Sequence, residues 1–179
     1  MINPFLPALI FAASVNLSFE AVPQMIPAGD EFRLSVNVSS AGIPTLGTDV
    51  VITYDPKMVE VTKFLGGKVY PHYPVTLVDI DNVHGKTRFS GTADLYQTKV
   101  AEGPLGWVYF RAKKSGTTEV SFVWKKNGTD ESNIVPDTGG LDLLKEKPKG
   151  VNLSFLEPSS GTKVWILIKR ILSFDYLNF

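Results

Sequence analysis

The stretch from Ala28 to Val61 limits the possible folds more than any other part of the chain. Phe32, Leu34, Val36 and Val38 alternate with Arg33, Ser35, Asn37 and Ser39. A two-residue period of this kind puts one face of a strand in a core and the other in water. Ala41-Gly42-Ile43-Pro44 breaks the pattern, and a second run from Thr48 to Tyr54 stops at Asp55-Pro56. Pro56 has no N–H for a ladder and disfavours helix at Asp55, so the strand is expected to turn there. Met58 to Val61 restarts the β-rich pattern. The stretch writes a sheet domain, and it carries no catalytic chemistry.

The same grammar continues along the chain. Strands are expected at Val15–Glu20, Glu31–Ser39, Thr48–Tyr54, Met58–Leu65, Val75–Ile80, Thr87–Thr92, Gly106–Ala112, Thr118–Trp124 and Val151–Phe155. Between them lie Gly/Pro/Asn turns such as Pro27-Ala28-Gly29-Asp30, Gly66-Gly67 and Ser115-Gly116. Many short strands with such turns point to an all-β sandwich or jelly roll. Ala93–Ala101 reads as a short turn or helix. The pentapeptide VNLSF occurs at Val15–Phe19 and again at Val151–Phe155, in the first and last expected strands. The repeat suggests that these two strands lie side by side in one sheet and close the domain.

Composition narrows the function. Apolar residues make up 44% of the 179 residues, which suits a globular domain with a real core. Lys+Arg and Asp+Glu both number 18, and no basic face appears, so nucleic acid is not an expected partner. The absence of cysteine excludes disulfides, thiolate zinc sites and cysteine nucleophiles. Residues 1–14 are apolar and end in Ala12-Ala13-Ser14, like the end of a signal peptide, although the basic leading region is missing. This reads as a truncated leader ahead of an extracytoplasmic domain at 15–157. Residues 158–179 read as an apolar tail, a linker or a truncated anchor, too short in its apolar run to span a bilayer.

Four blocks then resemble a known family. AGDEFRLSVNVSSAG, LGTDVVITYDPKMVEV, GPLGWVYFRAKKSGTTEVSF, and SNIVPDTGGLDLL with GVNLSF occur in the order found in cohesin domains. The resemblance runs from about Val15 to Phe155. It implies a nine-stranded jelly-roll β-sandwich that binds dockerin modules at the cell surface or outside the cell. It also implies that any calcium belongs to the dockerin partner and that this chain carries no cofactor. Cohesins grip dockerin with one flat sheet face, which would correspond here to the strands Thr48–Tyr54, Val75–Ile80, Thr87–Thr92 and Gly106–Ala112.

Alternation assigns the residues of that face. Val50, Ile52 and Tyr54 should point inward, leaving Asp49, Val51 and Thr53 outward. Phe89 should point inward, with Arg88, Ser90 and Thr92 outward. Val108 and Phe110 should point inward, with Trp107, Tyr109 and Arg111 outward. Asp49 falls where some cohesins place a dockerin-contacting carboxylate. Trp107 and Tyr109 depart from the family, in which small polar residues often stand at those places. Two aromatics and an arginine make a hot-spot composition. A one-residue slip would instead turn both rings into the core. The expected partner-binding set is therefore Asp49, Val51, Arg88, Ser90, Trp107, Tyr109 and Arg111.

Other chemistry is weaker. His72 and His84 lie in loop-like stretches without metal-ligand spacing. Asp79 and Asp81 could form a carboxylate pair, although strand-end solvation explains them as well. Asp130, Glu131 and Asp137 match no standard calcium loop. Sequons start at Asn16, Asn37, Asn127 and Asn152. With no nucleophile–base set and no metal cluster, the chain reads as a binding module and not as an enzyme. A second reading is a carbohydrate-binding module that stacks sugars on Trp107, Tyr109 and Tyr96. A third is a structural spacer of a cell-surface protein.

Overall fold

The structure, a computed structural model, describes residues 14–20, 25–94 and 96–157. The leader-like segment before residue 14 and the apolar tail from 158 onward lie outside the described residues. The described residues form ten strands and one 3-10 turn at Val75–Leu77. The strands are β1 (Asn16–Phe19), β2 (Ile26–Pro27), β3 (Glu31–Thr53), β4 (Val59–Gly66) and β5 (Asp79–Asp81). They continue as β6 (Lys86–Thr92), β7 (Lys99–Ala112), β8 (Gly116–Phe122), β9 (Asn133–Pro136) and β10 (Val151–Leu156). The segment read as a short turn or helix at Ala93–Ala101 ends in the start of β7.

Strand β3 joins two runs that the sequence separates. At the expected break, Ala41 and Gly42 take left-handed backbone angles (φ 52° and 81°), and the ladder to β7 jumps from Ser39↔Glu102 to Pro44↔Val100. The chain bends there without leaving the sheet. Residues 31–39 pair with β1 and β7 and residues 45–53 with β6, β8 and β9, with Pro44 and Thr45 still paired to the start of β7. One layer is therefore β1, the first half of β3, β7 and β4. The other is β5, β6 and the second half of β3, continued through β8 to β10 and β2. All pairings are antiparallel except β10 with β2.

The alternation read from sequence gives the core. Leu34, Val36, Val50, Ile52, Phe89, Val108, Phe110, Val120 and Phe122 are all essentially inaccessible to solvent. Aromatic pairs bridge the layers: Phe64 stacks on Phe89 at 4.0 Å, Phe19 on Phe122 at 4.3 Å, and Tyr54 meets Phe110 edge-on at 5.6 Å. Such pairs add to the burial of their area and fix how the layers lie on one another.

The VNLSF repeats do not pair with each other. β1 lies along β3, whereas β10 lies between β8 and β2. Leu17 and Leu153 are buried, and so is Phe155. The repeat encodes which face of a strand is apolar, and that requirement is the same in either layer. It does not encode a neighbour.

Two polar networks hold the loops. Thr45 Oγ1 donates to the carbonyl of Lys99 (2.7 Å) and so accepts from Tyr70 Oη (2.7 Å), which in turn accepts from Thr48 Oγ1 (2.9 Å). Tyr54 Oη donates to Asn82 Oδ1 (2.7 Å), and the Asn82 amide also pairs with both backbone groups of Val61 (2.8 Å each). Burial, with the nearby Asp81 charge, pushes the Tyr54 phenol from 10.0 up to about 12.

Truncating Phe89 to Ala should cost about 3–5 kcal/mol in chemical denaturation, while Tyr96→Ala, at a side chain 96% exposed, should cost about 0.5 kcal/mol or less. The fold favours the neutral Tyr54 phenol, because its folded value lies above its unfolded one. Its contribution should be complete below pH 10.0 and lost as pH rises toward about 12. Burial raises the Tyr70 and Tyr73 phenols as well, so phenolate absorbance should show several tyrosines ionising late, and Tyr54→Phe should reduce the amplitude of that late phase by one tyrosine.

Candidate interaction site

The outer face of the β5–β6–β3 layer is a grid set by the ladder. Asn133, Asp49 and Ser90 form one cross-strand row, and Val51, Arg88 and Asp79 the next. Ser121, Thr53, Lys86 and Asp81 form a third. Directly opposed residues point to the same side, so each row stands as a line of neighbouring side chains.

The first row is preorganised. Asp49 accepts a short hydrogen bond from the Ser90 hydroxyl on one carboxylate oxygen and the Asn133 amide on the other (3.3 Å). The Asn133 Nδ2 also donates to the carbonyl of Glu131 at 3.1 Å, which fixes the amide with Oδ1 turned away. Asn133 is 4% exposed, and its Oδ1 is buried with no hydrogen-bond partner among the described residues. Ser90 is as buried as Asn133, whereas Asp49 remains partly open.

Val51 corrects the expectation of an exposed contact. It lies on the outer side of β3 yet is fully buried. β8 and β9 run along the same edge of β3, with Phe122 opposite Ile52 and Asn133 opposite Asp49. They read as one strand interrupted by an excursion over residues 123–132. The Ser132 hydroxyl closes its base, accepting from the Val51 N–H (2.9 Å) and donating to the Val51 carbonyl (3.0 Å). Ser132 N–H bonds the Val123 carbonyl (2.9 Å), and Val123 N–H bonds Val51 (2.8 Å). The excursion turns at Lys125–Gly128, with Asn127 left-handed (φ 58°). Asp142 holds the far side, accepting the N–H groups of Ile134 and Leu144 (2.9 Å each) and the Trp124 indole (3.4 Å). Alternation assigns direction but not what lies above the sheet, and here Val51 is buried at the point where the excursion bonds its backbone. Ser90 is likewise buried, as a support for Asp49 and not as an open contact.

Trp107, Tyr109 and Arg111 point outward as expected, with Val108 and Phe110 fully buried between them. They do not join Asp49 and Arg88. Strand β7 pairs with the first half of β3 and with β4, in the opposite layer. The single face expected from four strands is thus divided between two faces. On its own face each of these side chains already has a neighbour. The Arg33 guanidinium lies 5.9 Å from the Trp107 ring centroid, and the Lys63 ammonium 4.4 Å from that of Tyr109. Arg111 bridges Glu31 (2.8 Å) and Glu60 (3.2 Å). Tyr96 stands in the β6–β7 connection, away from the strand positions of Trp107 and Tyr109.

The histidines serve as partners of acids. His72 Nε2 lies 2.6 Å from Asp94 Oδ1, and His84 Nδ1 2.6 Å from Asp81 Oδ2. The backbone N–H of His84, then its ring, hold the Asp81 carboxyl below the usual carboxylate range. A carboxyl held ionised in this way is unsuited to act as a general acid beside Asp79. Among the described residues no cluster of three or more acids and histidines could hold a metal ion, and no helix is long and apolar enough to cross a membrane.

Sequence reasoning missed Asn133 and Ser132. Ile134-Val135 between Asn133 and Pro136 is a short β signal, but four residues ending in proline read as a loop.

Comparison with solved structures places this fold among cohesin modules. A type I cohesin–dockerin complex from Clostridium thermocellum matches with a TM-score of 0.61 at 11% identity, over 80% of this chain and 99% of that one. The sixth cohesin of Acetivibrio cellulolyticus scaffoldin B, solved with a dockerin, matches with 0.60 at 17% identity, over 80% and 99%. A cohesin module of a Clostridium perfringens family 33 glycoside hydrolase matches with 0.60 at 10% identity, over 81% and 98%. No protein-family model matches the chain, and no curated protein matches it in sequence. At these identities the likeness establishes the fold, and the function is argued from the site.

Ser132→Ala should cost about 1–3 kcal/mol by leaving the buried Val51 N–H without an acceptor. Denaturant unfolding measures the loss, and hydrogen exchange should speed up at Val51 ahead of the rest of β3.

Proposed function

We propose that this chain is a non-catalytic, extracytoplasmic protein-interaction module. It docks a dockerin-like helical partner on the outer face of the β5–β6–β3–β9 layer, with any calcium carried by the partner. The observation that carries this reading is the row Asn133–Asp49–Ser90 on a cohesin-type fold. Each Asp49 oxygen accepts one protein donor and keeps a lone pair for another. The carboxylate is thereby aimed before any partner arrives, which lowers the ordering cost of binding. Arg88, in the adjacent row, is half-buried and makes no ion pair among the described residues, so it supplies a donor next to the acceptor. Partner contacts are Asp49 and Arg88, while Ser90 and Asn133 position Asp49 and Val51 supports the excursion at the rim. Cohesin modules solved with dockerins support the partner class.

The alternative of sugar stacking on three aligned rings draws no support from the geometry. Lys63 stands over Tyr109, and Tyr96 sits in a connecting loop. A purely structural spacer would leave the preorganised Asp49 row without a use.

The test is a pull-down from the surface and secreted fraction of the source cells, followed by titration with the captured partner. Asp49→Ala and Arg88→Ala should each weaken binding at least about tenfold, a loss of about 1.4 kcal/mol or more. Calcium chelation should release the partner. Trp107→Ala should leave the affinity within about twofold. Retained binding in both face variants, or loss of binding only with Trp107→Ala, would overturn the assignment.

A further inference from the structure

The opposite layer carries a recessed surface. On the outside of β1, the first half of β3 and β7 lies a shallow groove of about 470 Å³ lined by Asn16, Ser18, Asn37 and Pro104, among others. A second depression of about 240 Å³ continues past Pro104 to Glu102 and Trp107. The hollow has a structural cause. The β3–β7 ladder steps from Val36↔Gly106 to Asn37↔Pro104, leaving Leu105 as an extra residue. Leu105 is fully buried, so the bulge turns one large side chain inward where an outward one would otherwise stand. Gly103 beside it is left-handed (φ 103°) and faces open space. The surface is therefore concave by construction.

Most of its lining is uncharged. The larger groove has the size of small-ligand clefts. Its floor and end wall are apolar, from the Pro104 ring and Trp107. Its sides carry amides and hydroxyls, with Glu20, Lys68 and Glu102 among them. Among the described residues the side chains of Asn16 and Ser18 make no hydrogen bonds, and Asn37 uses only Oδ1, accepting from Ser35 (3.4 Å). Glu102 accepts from Ser39 (3.1 Å) and keeps its second oxygen. Amides offering both donors and acceptors, beside an apolar floor, match a ligand with hydroxyl edges and a C–H face. Glu20, Glu102 and Lys68 all line the trough, so its acids outnumber its one cation and an anion is not favoured.

We infer that this trough binds a neutral oligosaccharide segment, running from Asn16 across Asn37 and Pro104 to Trp107. The site is separate from the Asp49 face and does not depend on the protein-docking reading. With both surfaces in use, one module would hold a protein on one layer and a polysaccharide on the other. Asn16 and Asn37 also begin sequons, and an N-glycan on either would fill the trough.

The test uses the full chain made in a host without N-glycosylation, run in native gels containing a neutral β-glucan, xylan or mannan. Wild type should be retarded by at least one of the three. Trp107→Ala and, separately, the surface variant Asn37→Ala should weaken that retardation about tenfold, equal to about 1.4 kcal/mol. Asp49→Ala should run as wild type. Circular dichroism checks that each variant is folded, and Asn37→Ala keeps the test valid if Trp107→Ala is not. No retardation in any of the gels by folded wild type would overturn the proposal. So would retardation that survives Asn37→Ala and every folded Trp107 variant, or retardation lost with Asp49→Ala.

Discussion

Five of the nine strand pairings among the described residues are made to one strand. β1, β6, β7, β8 and β9 all pair with β3, and β3 can serve them only because it bends at Ala41–Gly42 and enters both layers. A non-glycine residue in the left-handed region costs about 1–2 kcal/mol. Ala41 carries that cost in a strand whose inward residues Leu34, Val36, Val50 and Ile52 are buried almost completely. Burial on that scale outweighs the strain several times over. The bend then dictates which side chains can share a face. Asp49 and Arg88 lie beyond it, and Arg33 and Ser35 lie before it with Trp107 and Tyr109 as their cross-strand neighbours.

That division gives the molecule two surfaces of different character. The Asp49 layer is a flat grid whose central carboxylate is held by Ser90 and Asn133 and bordered by an excursion sealed through Ser132. The Trp107 layer is concave where Leu105 turns inward, and its aromatic rings are attended by cations of the same sheet. Flat preorganised polar rows suit a protein partner, and a recessed trough of amides over an apolar floor suits a small polyol. The exposed Arg111 pairs with Glu31 and Glu60 tie strands together at the surface and contribute about 0–1 kcal/mol each.

Alternation was legible at the level of single residues. Val50, Ile52, Tyr54, Phe89, Val108 and Phe110 all point inward where the two-residue period puts them. Trp107 and Tyr109 stay on the outside, so the register did not slip. Adjacency was less legible. The VNLSF copies have the same inward Leu and Phe yet stand in opposite layers, and β7 was assigned to the wrong face. A strand's own residues record that one side is dry. They do not record which strand supplies its hydrogen bonds, because every backbone offers the same donors and acceptors.

By itself, the sequence determined the fold class, the inward residues of most strands and the turn at Asp55-Pro56, because these depend on local periodicity and on proline geometry. It also carried the order of blocks that resembles cohesin domains. Only the tertiary structure decided that Val51 is buried, that Ser90 and Asn133 orient Asp49, and that Trp107 faces a trough on the other layer. Those outcomes rest on contacts between residues tens of positions apart, such as Ser132 on Val51 and Asn133 on Asp49. They are set by how β3 bends and how the excursion folds back, and no local pattern encodes either.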